Sequence, residues 1–416
     1  MTDEPATPWT WRLHWQIFAA MALGAAAGAV GGSAFAEHVA WMGALFVRLL
    51  RMVIVPLVLT SVVSGVASIG GGRDVGRMFG KTFAYYLATS TLAILVGLVF
   101  ANAIRPGVGA ELAGVGEGPL PEIETPASVA DMLLRMVPTN PLAAAASGDI
   151  LGLIVFSILL GVALGRLPDE PRGRLLGVFE AGFQAMMVLT SGIIRLAPFG
   201  VFGLIVNAVA STGGEAFRAL GWYALTVAGG LATHLFLVLP LLLLLLGRIR
   251  PWVHFRNMAE PLAMAFSTSS SAATLPVTMR AVEQKVGVSN RVSSFVLPMG
   301  ATINMDGTAL YECAGVLFIA QALGVELSFA QQLLVVLTAL LASIGTAAIP
   351  SAGLVMIFLV LEAVDLRGPQ VELIVGAMLA IDRPLDMART AVNVFSDSCG
   401  AAIIARSEGE TNVDLA

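Results

Sequence analysis

Near the C-terminus, five polar side chains share one face of a predicted apolar helix. The segment LDMARTAVNVFSDSCG places an acid, a base, a hydroxyl, an amide and a second acid at i, i+3, i+4, i+7 and i+11, a spacing that forms one helical stripe. These residues are Asp386, Arg389, Thr390, Asn393 and Asp397. A guanidinium binds a carboxylate through two parallel hydrogen bonds, and a carboxylate binds an ammonium. The stripe therefore predicts a site for a ligand that carries both groups.

The alternative interpretation of this stripe is a structural ion pair. Asp386 and Arg389 lie one helical turn apart and would pair without any ligand. That pairing leaves Thr390, Asn393 and Asp397 unexplained. Because an Arg or Asp at mid-membrane costs about 2.5–3.5 kcal/mol on insertion scales, we favour a binding site.

A second motif interrupts the preceding apolar run. The segment from Asn304 to Thr308 contains three poor helix formers, which predicts a local unwinding that frees backbone carbonyls. Carbonyl oxygens and the side-chain oxygens of Asn304 and Asp306 are hard ligands that suit Na⁺. A glycine kink made only for packing would account for Gly307, but it leaves a buried Asp306 without a role.

A serine-rich run precedes both motifs. Ser267 to Ser271, with Thr268, lie in the segment AMAFSTSSSAATLPVTM. Their hydroxyls would either satisfy their own backbone or, if aimed at the membrane midplane, bind a carboxylate together with nearby N–H groups. Both interpretations remain open at the level of the sequence.

The composition shows which kind of protein must position these motifs. Of 416 residues, 57% are apolar and 12% are charged, and the mean hydropathy is +0.85, whereas an ordinary soluble protein carries about 25% charged residues. So few charges cannot cover a soluble protein of this length, which excludes a soluble enzyme, a nucleic-acid binder and a disordered chain. The chain is predicted to be a polytopic helical membrane protein.

Apolar runs of roughly 20 residues and the charges between them predict the topology. Basic loops, which contain for example Arg77, Arg172 and Arg250, alternate with acidic or neutral loops, as expected for a cytoplasmic N-terminus. The six predicted spans lie near 13–34, 40–69, 80–104, 148–165, 175–208 and 219–247.

The remaining chain departs from this pattern. Two hydrophobic segments, near 257–284 and 328–364, are interrupted by Gly, Ser and Pro, and each precedes an apolar run, near 290–322 and 370–405. Irregular backbone at membrane depth survives only where it lines a cavity. Two such segments, entering from opposite faces as re-entrant hairpins, are typical of an inverted-repeat transporter with a cytoplasmic C-terminus.

The motifs STSSSAATLP, NMDGTALYE, SIGTAAIPSAG and LDMARTAVNVFSD together resemble the dicarboxylate/amino acid:cation symporter family, which includes the excitatory glutamate transporters. The resemblance continues upstream and covers nearly the whole chain. It implies an all-α membrane fold with about eight transmembrane helices and two re-entrant helical hairpins. A homotrimer in the plasma membrane, the inner membrane of a bacterium, is also implied.

The resemblance further implies a division into a scaffold and a transport domain that slides across the membrane like an elevator. The expected scaffold comprises 10–70 and 130–208, and the expected transport domain comprises 78–104 and 217–408.

For the substrate, the resemblance implies that Arg389 binds a side-chain carboxylate and that Asp386 binds the α-amino group. Hydroxyl, amide and main-chain groups would complete the pocket, and the second hairpin would act as the extracellular gate. The full set is Arg389, Asp386, Thr390, Asn393, Thr308, Ser269, Ser270, Ser271, Ile349 and Gly353.

Three sodium sites are implied in the same way. The first set is Asp397, Gly300, Asn304 and Asn393; the second is Thr302, Ser343, Ile344 and Thr346; the third is Tyr86, Thr89, Ser90, Asn304 and Asp306.

The sequence departs from family members at a second arginine and shares a proton-carrying position with some of them. Archaeal members carry that arginine where Ser269 stands, and animal glutamate transporters carry it where Met387 stands. Glu312 occupies the position at which animal members hold a proton-carrying glutamate. A buried carboxylic acid is favoured in its neutral form, so Glu312 is a candidate for proton coupling.

We therefore predict import of L-aspartate or L-glutamate coupled to Na⁺, with H⁺ as a second candidate coupling ion and no other cofactor. The alternative substrate is a C4-dicarboxylate such as succinate, although family members that carry these compounds lack a carboxylate at the position of Asp386. A passive channel and an intramembrane hydrolase that uses Asp306 and Asp386 are remoter alternatives, since Arg389 would hold Asp386 ionised. No nucleic-acid partner is expected.

Overall fold

The computed structural model describes residues 13–67, 73–110, 137–147, 150–212, 215–345 and 352–413, and every regular element among them is helical. The helices in chain order are α1 (Leu13–Ala67), α2 (Arg73–Ile104), α3 (Pro141–Ser147), α4 (Ile150–Gly165), α5 (Asp169–Ile194), α6 (Ala197–Thr212), α7 (Glu215–Thr233, extended to Gly247 through the π-helical turns His234–Val238 and Leu243–Gly247), α8 (Pro251–Asn257), α9 (Ala259–Thr268), α10 (Ser271–Ala281), α11 (Asn290–Ile303), α12 (Asp306–Ala322), α13 (Phe329–Gly345), α14 (Ala352–Ala363) and α15 (Pro369–Ser407).

Helix α1 covers the first two predicted spans, which are separated at Gly32. This glycine has φ 57° and non-helical backbone, a conformation that costs little without a side chain. Earlier in α1, a Cβ on Gly24 would lie 3.0 Å from the carbonyl oxygen of Phe202, and one on Gly28 would lie 2.7 Å from that of Val206. Both glycines therefore allow α1 to approach α6 closely, as small residues do between membrane helices.

The predicted span at 175–208 is divided into α5 and α6, so its prediction as one continuous segment is wrong. Pro198 lies in the first turn of α6, where its fixed φ and missing N–H are tolerated and where a new helix readily begins. Within the described residues, three segments are long and apolar enough to cross a membrane: Ala19–Phe46, Arg77–Ile104 and Arg218–Gly247.

Helix α12 lies at the centre of the fold. Its residues 306–320 are all buried, and it packs against α2, α7, α13, α14 and α15. A helix that is apolar on all sides is expected to be enclosed in this way. From 306 to 320, a side chain of α12 that points away from one neighbour therefore faces another, and this includes Glu312.

The helices pack in two groups. In one group, α1 contacts α4, α5 and α6; in the other, α9, α10, α11 and α12 pack against α15, and α2 packs against α7 and α12. The groups also touch each other, because a Cβ on Gly376 of α15 would lie 2.5 Å from Cδ2 of Leu204 in α6.

At its C-terminal end, α15 is joined to α2 by the carboxylate of Glu408. This group accepts hydrogen bonds from Nη2 of Arg77 at 2.7 Å and from Nζ of Lys81 at 2.6 Å. These bonds lower the pKa of Glu408 from 4.5 to about 2. Because the pKa of Glu408 is lower in the folded state than in the unfolded state, these bonds stabilise the fold fully at a pH above the unfolded-state pKa. The stabilisation is lost as the pH falls toward the folded-state pKa.

Glu408→Gln is expected to lower the free energy of unfolding by about 1 kcal/mol at pH 7, since ion pairs near a surface are partly screened. Thermal unfolding in detergent measures the loss, which should shrink as the pH falls below about 4.5. The matched control is Glu326→Gln, because Glu326 pairs with Arg105 at 3.2 Å but its side chain is 86% exposed. An equal loss of stability in both variants would contradict the proposed role of Glu408.

Candidate substrate and sodium site

The guanidinium of Arg389 lies between two carboxylates and an aromatic ring. Its Nη2 donates to Oδ1 of Asp382 at 3.0 Å and to Oδ1 of Asp386 at 2.9 Å. Its Cζ lies 3.8 Å from the ring centroid of Tyr311, a cation–π geometry. The ion pair between Asp386 and Arg389 therefore exists, but it occupies a single nitrogen. Nε and Nη1 of Arg389 are buried and donate to no residue in the described part of the chain.

The start of α14 passes close to this guanidinium. A Cβ on Gly353 would lie 2.8 Å from Nη1 of Arg389 and 3.0 Å from Cγ2 of Thr308, so a larger side chain would clash there. The structure thus brings together three residues of the predicted pocket from α12, α14 and α15. Ile349, also predicted to belong to the pocket, lies outside the described residues.

Two further predicted residues connect α15 to the start of α12. The Oδ1 of Asn393 accepts a hydrogen bond from the backbone N–H of Gly307 at 2.8 Å, and its Nδ2 lies 3.4 Å from Oγ1 of Thr308. Thr390 donates to the carbonyl oxygen of Asp386 at 2.8 Å. The helix break before α12 is therefore held against the polar stripe of α15.

The serine-rich run forms the turn between α9 and α10. Ser270 caps α10, since its hydroxyl accepts from the N–H of Ala273 at 3.2 Å, and Ser271 is buried. Ser269 has φ 51°, the left-handed region that non-glycine residues rarely adopt. The buried hydroxyl of Ser269 has no partner among the described residues. The hydroxyls of Ser267, Thr268 and Ser270 bond to nearby backbone groups, whereas that of Ser269 does not. Both helices pack against α15.

The helix break between α11 and α12 is present as predicted, because Asn304 and Met305 leave the helical conformation. Just after it, the carboxylate of Asp306 is fully buried. Its Oδ1 accepts from Ser90 at 2.7 Å, and its Oδ2 accepts from Ser396 at 2.7 Å and lies 3.0 Å from Nε2 of His234. Three helices therefore supply polar groups to one buried carboxylate.

Asn304 connects this carboxylate cluster to Asp397. Its Nδ2 donates to Oδ1 of Asp397 at 2.9 Å, and its own Oδ1 accepts from Thr89 at 3.4 Å. A Cβ on Gly300 would lie 2.5 Å from both Oδ1 of Asp397 and the hydroxyl of Tyr86. The first and third predicted sodium sets therefore lie side by side, whereas Asn393 bonds to the start of α12 instead.

The second predicted sodium set is not assembled by hydrogen bonds. Thr302 donates to the carbonyl oxygen of Met299 at 3.0 Å, and Ser343 donates to that of Leu340 at 2.8 Å, so each hydroxyl bonds within its own helix. The side chain of Ile344 and all of Thr346 lie outside the described residues. This sodium site stays a prediction.

Glu312 lies one helical turn after Thr308 on α12. It is fully buried, and neither carboxyl oxygen has a hydrogen-bond partner in the described part of the chain. A charged carboxylate without a partner is costly in a protein interior, so this position requires an explanation beyond packing.

Five neighbours of the site were absent from the predicted set. Asp382 and Tyr311 contact Arg389, and Arg383 lies 3.4 Å from Asp386. His234 and Ser396 contact Asp306. Asp382 falls four residues before Asp386, so the helical stripe extended by one turn would have included it.

The sequence motifs that form this site match one protein family, and the match extends over almost the whole chain. The model of the sodium:dicarboxylate symporter family matches residues 13–407. The chain belongs to the sodium:dicarboxylate symporter family. The resemblance drawn from the motifs is thereby confirmed, as is the prediction of a membrane transporter rather than an enzyme.

Curated relatives in this family differ in the substrates that their names describe. An excitatory amino acid transporter of Caenorhabditis elegans is 35% identical and covers 88% of this chain and 81% of its own length. A proton/sodium-glutamate symport protein of Bacillus caldotenax is 34% identical, and the alignment covers 96% of this chain and 95% of the relative. The neutral amino acid transporter B(0) of Oryctolagus cuniculus is 36% identical, and the alignment covers 93% of this chain and 78% of the relative. Overall identity therefore does not separate acidic from neutral substrates, and the site must do so.

Proposed function

We propose that this chain is a secondary active symporter that imports L-aspartate or L-glutamate together with Na⁺. The observation that carries the proposal is the buried guanidinium of Arg389, whose Nε and Nη1 have no partner among the described residues. Nε and Nη1 each share one edge of the guanidinium with Nη2, so either nitrogen can take part in the two-point fork that binds a carboxylate. A neutral amino acid has no second carboxylate to fill this position.

The same cluster can accommodate the ammonium of an amino acid. Asp386 lies on the ligand-facing stripe one turn from Arg389, and its side chain is 8% exposed. We assign it to the α-amino group, with Thr390, Asn393, Thr308 and the turn at Ser269–Ser271 completing the pocket. The alternative substrate is a C4-dicarboxylate, which would leave Asp386 without a ligand partner.

Sodium is the proposed coupling ion because the polar cluster around Asn304 is rich in oxygen atoms and contains two buried carboxylates, those of Asp306 and Asp397. A cation placed among these oxygens would compensate the negative charge that serine hydroxyls and an amide only solvate. The name of the B. caldotenax relative, a proton/sodium-glutamate symport protein, supports this choice.

We further propose an elevator mechanism in a homotrimer of the bacterial inner membrane, with both termini cytoplasmic. The scaffold would be 10–70 and 130–208, and the moving unit 78–104 and 217–408. The packing of α1 with α4, α5 and α6, separate from the packing of the hairpin helices on α15, supports this division.

The test is uptake into proteoliposomes with each gradient imposed alone. A Na⁺ gradient is expected to drive labelled aspartate or glutamate to a concentration above that outside, which a passive channel cannot achieve. Aspartate uptake on a proton gradient without Na⁺ would contradict the sodium assignment. Uptake of succinate in preference to both amino acids would contradict the assigned substrate.

The proton arm of the same experiment uses Glu312→Gln. If Glu312 carries a proton, uptake by the unmodified chain should respond to an imposed proton gradient when Na⁺ is held equal on both sides. The Gln variant should then keep sodium-driven uptake and lose this response. An identical proton response in both proteins would exclude Glu312 as the carrier.

A further inference from the structure

A second arginine, Arg383, lies against the proposed amine-binding carboxylate. Its Nη1 is 3.4 Å from Oδ2 of Asp386, and the two side chains are 11% and 8% exposed. It lies one turn before Asp386 on α15, so both side chains lie on one helix face. The contact is therefore an almost buried ion pair and not a surface contact.

The carboxylate of Asp386 is thus shared by two guanidiniums. Oδ1 is bound by Arg389 at 2.9 Å and Oδ2 by Arg383 at the longer distance of 3.4 Å. Because Arg389 also binds Asp382, the cluster contains two acids and two bases and its formal charge is zero. The Nε of Arg383 is buried and has no acceptor among the described residues.

This arrangement affects an ammonium and a second carboxylate in opposite ways. An ammonium that approaches Asp386 is expected to bind at Oδ2, the oxygen with the longer guanidinium contact. It must either displace the guanidinium of Arg383 from Oδ2 or share this oxygen with it, and the two groups carry the same charge. A ligand with two carboxylates and no ammonium does not compete with Arg383 for Oδ2. It is also not repelled by the cluster, because the cluster carries no net negative charge. Without Arg383 the cluster would carry one net negative charge, which attracts an ammonium and repels a dianion.

We propose that Arg383 is a specificity-determining residue that lowers the selectivity of this pocket for α-amino acids over C4-dicarboxylates. This inference rests on the proposed function, because it assumes that Asp386 binds the substrate ammonium. Arg383 acts through Asp386 and is therefore a positioning residue of the amine subsite.

The test compares Arg383→Gln, Arg383→Met and Arg383→Lys with the unmodified chain in proteoliposomes under a Na⁺ gradient. The KM of labelled aspartate and the Ki of succinate as its competitor are measured for each. Either neutral variant should raise the ratio of succinate Ki to aspartate KM by about tenfold, because aspartate binds more tightly and succinate binds more weakly. Arg383→Lys keeps the charge and should keep the ratio within about threefold of the unmodified chain.

The two proposals fail in different ways in this experiment. If the unmodified chain transports neither aspartate nor glutamate, the proposed function fails, and this inference fails with it. If the unmodified chain transports aspartate but the ratio stays constant in both neutral variants, only the role of Arg383 is overturned. A purely structural role would weaken both ligands together at a constant ratio, and that result also overturns the proposal.

Discussion

Arg389→Cys is expected to abolish aspartate uptake in proteoliposomes. The buried guanidinium is the only side chain of the assigned pocket that can offer a two-point fork to a side-chain carboxylate. Each lost hydrogen bond to a charged group costs about 1.5–3 kcal/mol. Two lost bonds therefore lower aspartate affinity by at least about 100-fold.

This variant needs a control for folding, because Arg389 also pairs with two acids. Its removal leaves Asp382 and Asp386 buried without their shared guanidinium, and breaking a buried ion pair costs about 3–5 kcal/mol. The double variant Arg389→Cys with Asp382→Asn removes one of the two charges and should recover folded protein in size-exclusion chromatography. The loss of aspartate uptake should persist in the double variant.

Arg389→Lys separates the loss of charge from the loss of geometry. A lysine keeps the positive charge but cannot form the planar fork, so the aspartate KM should rise about tenfold or more while folded protein is retained. Unchanged aspartate kinetics in a folded Arg389→Cys protein would refute the assignment of Arg389 to the side-chain carboxylate.

The helix breaks around this site were predictable from residue types. Asn304, Asp306 and Gly307 favour helix poorly, and the backbone leaves the helix at Asn304 and Met305. The serine-rich run likewise predicted the interruption that the structure places between α9 and α10. In both cases a cluster of unfavourable residues inside an apolar run is a local signal, and local signals can be read from one sequence.

The electrostatic partners of the site were harder to predict. The predicted apolar run near 370–405 already crosses Pro384, and the helix does run across this proline. The predicted stripe nevertheless began at Asp386, and it therefore left out Asp382 and Arg383. His234 meets Asp306 from 72 residues away in the chain. A single histidine in an apolar run has no spacing that indicates such a partner, so this contact required the three-dimensional packing.

Asp306→Asn is expected to weaken Na⁺ binding while leaving the fold intact. The carboxylate is fully buried, and its hydrogen-bonded partners are two serine hydroxyls and a histidine ring. Asparagine has the same shape but no charge, so its attraction for a cation is largely lost. Titration of aspartate uptake with Na⁺ should show at least about a tenfold increase in the Na⁺ concentration for half-maximal uptake.

Two controls show whether the charge of Asp306 or the hydrogen-bond network causes this effect. Ser396→Ala keeps the charge and removes one donor to Oδ2, so it should shift the Na⁺ dependence by less than Asp306→Asn. Asp365→Asn changes a partly exposed aspartate, 3.8 Å from Arg367, and should leave the Na⁺ dependence unchanged. No lysine or arginine among the described residues donates a hydrogen bond to Asp306, so a structural ion pair there would require a protonated His234, whose Nε2 lies 3.0 Å from Oδ2. An unchanged Na⁺ dependence in folded Asp306→Asn protein would place the coupling ion elsewhere, with Asp397 as the remaining buried carboxylate of the cluster.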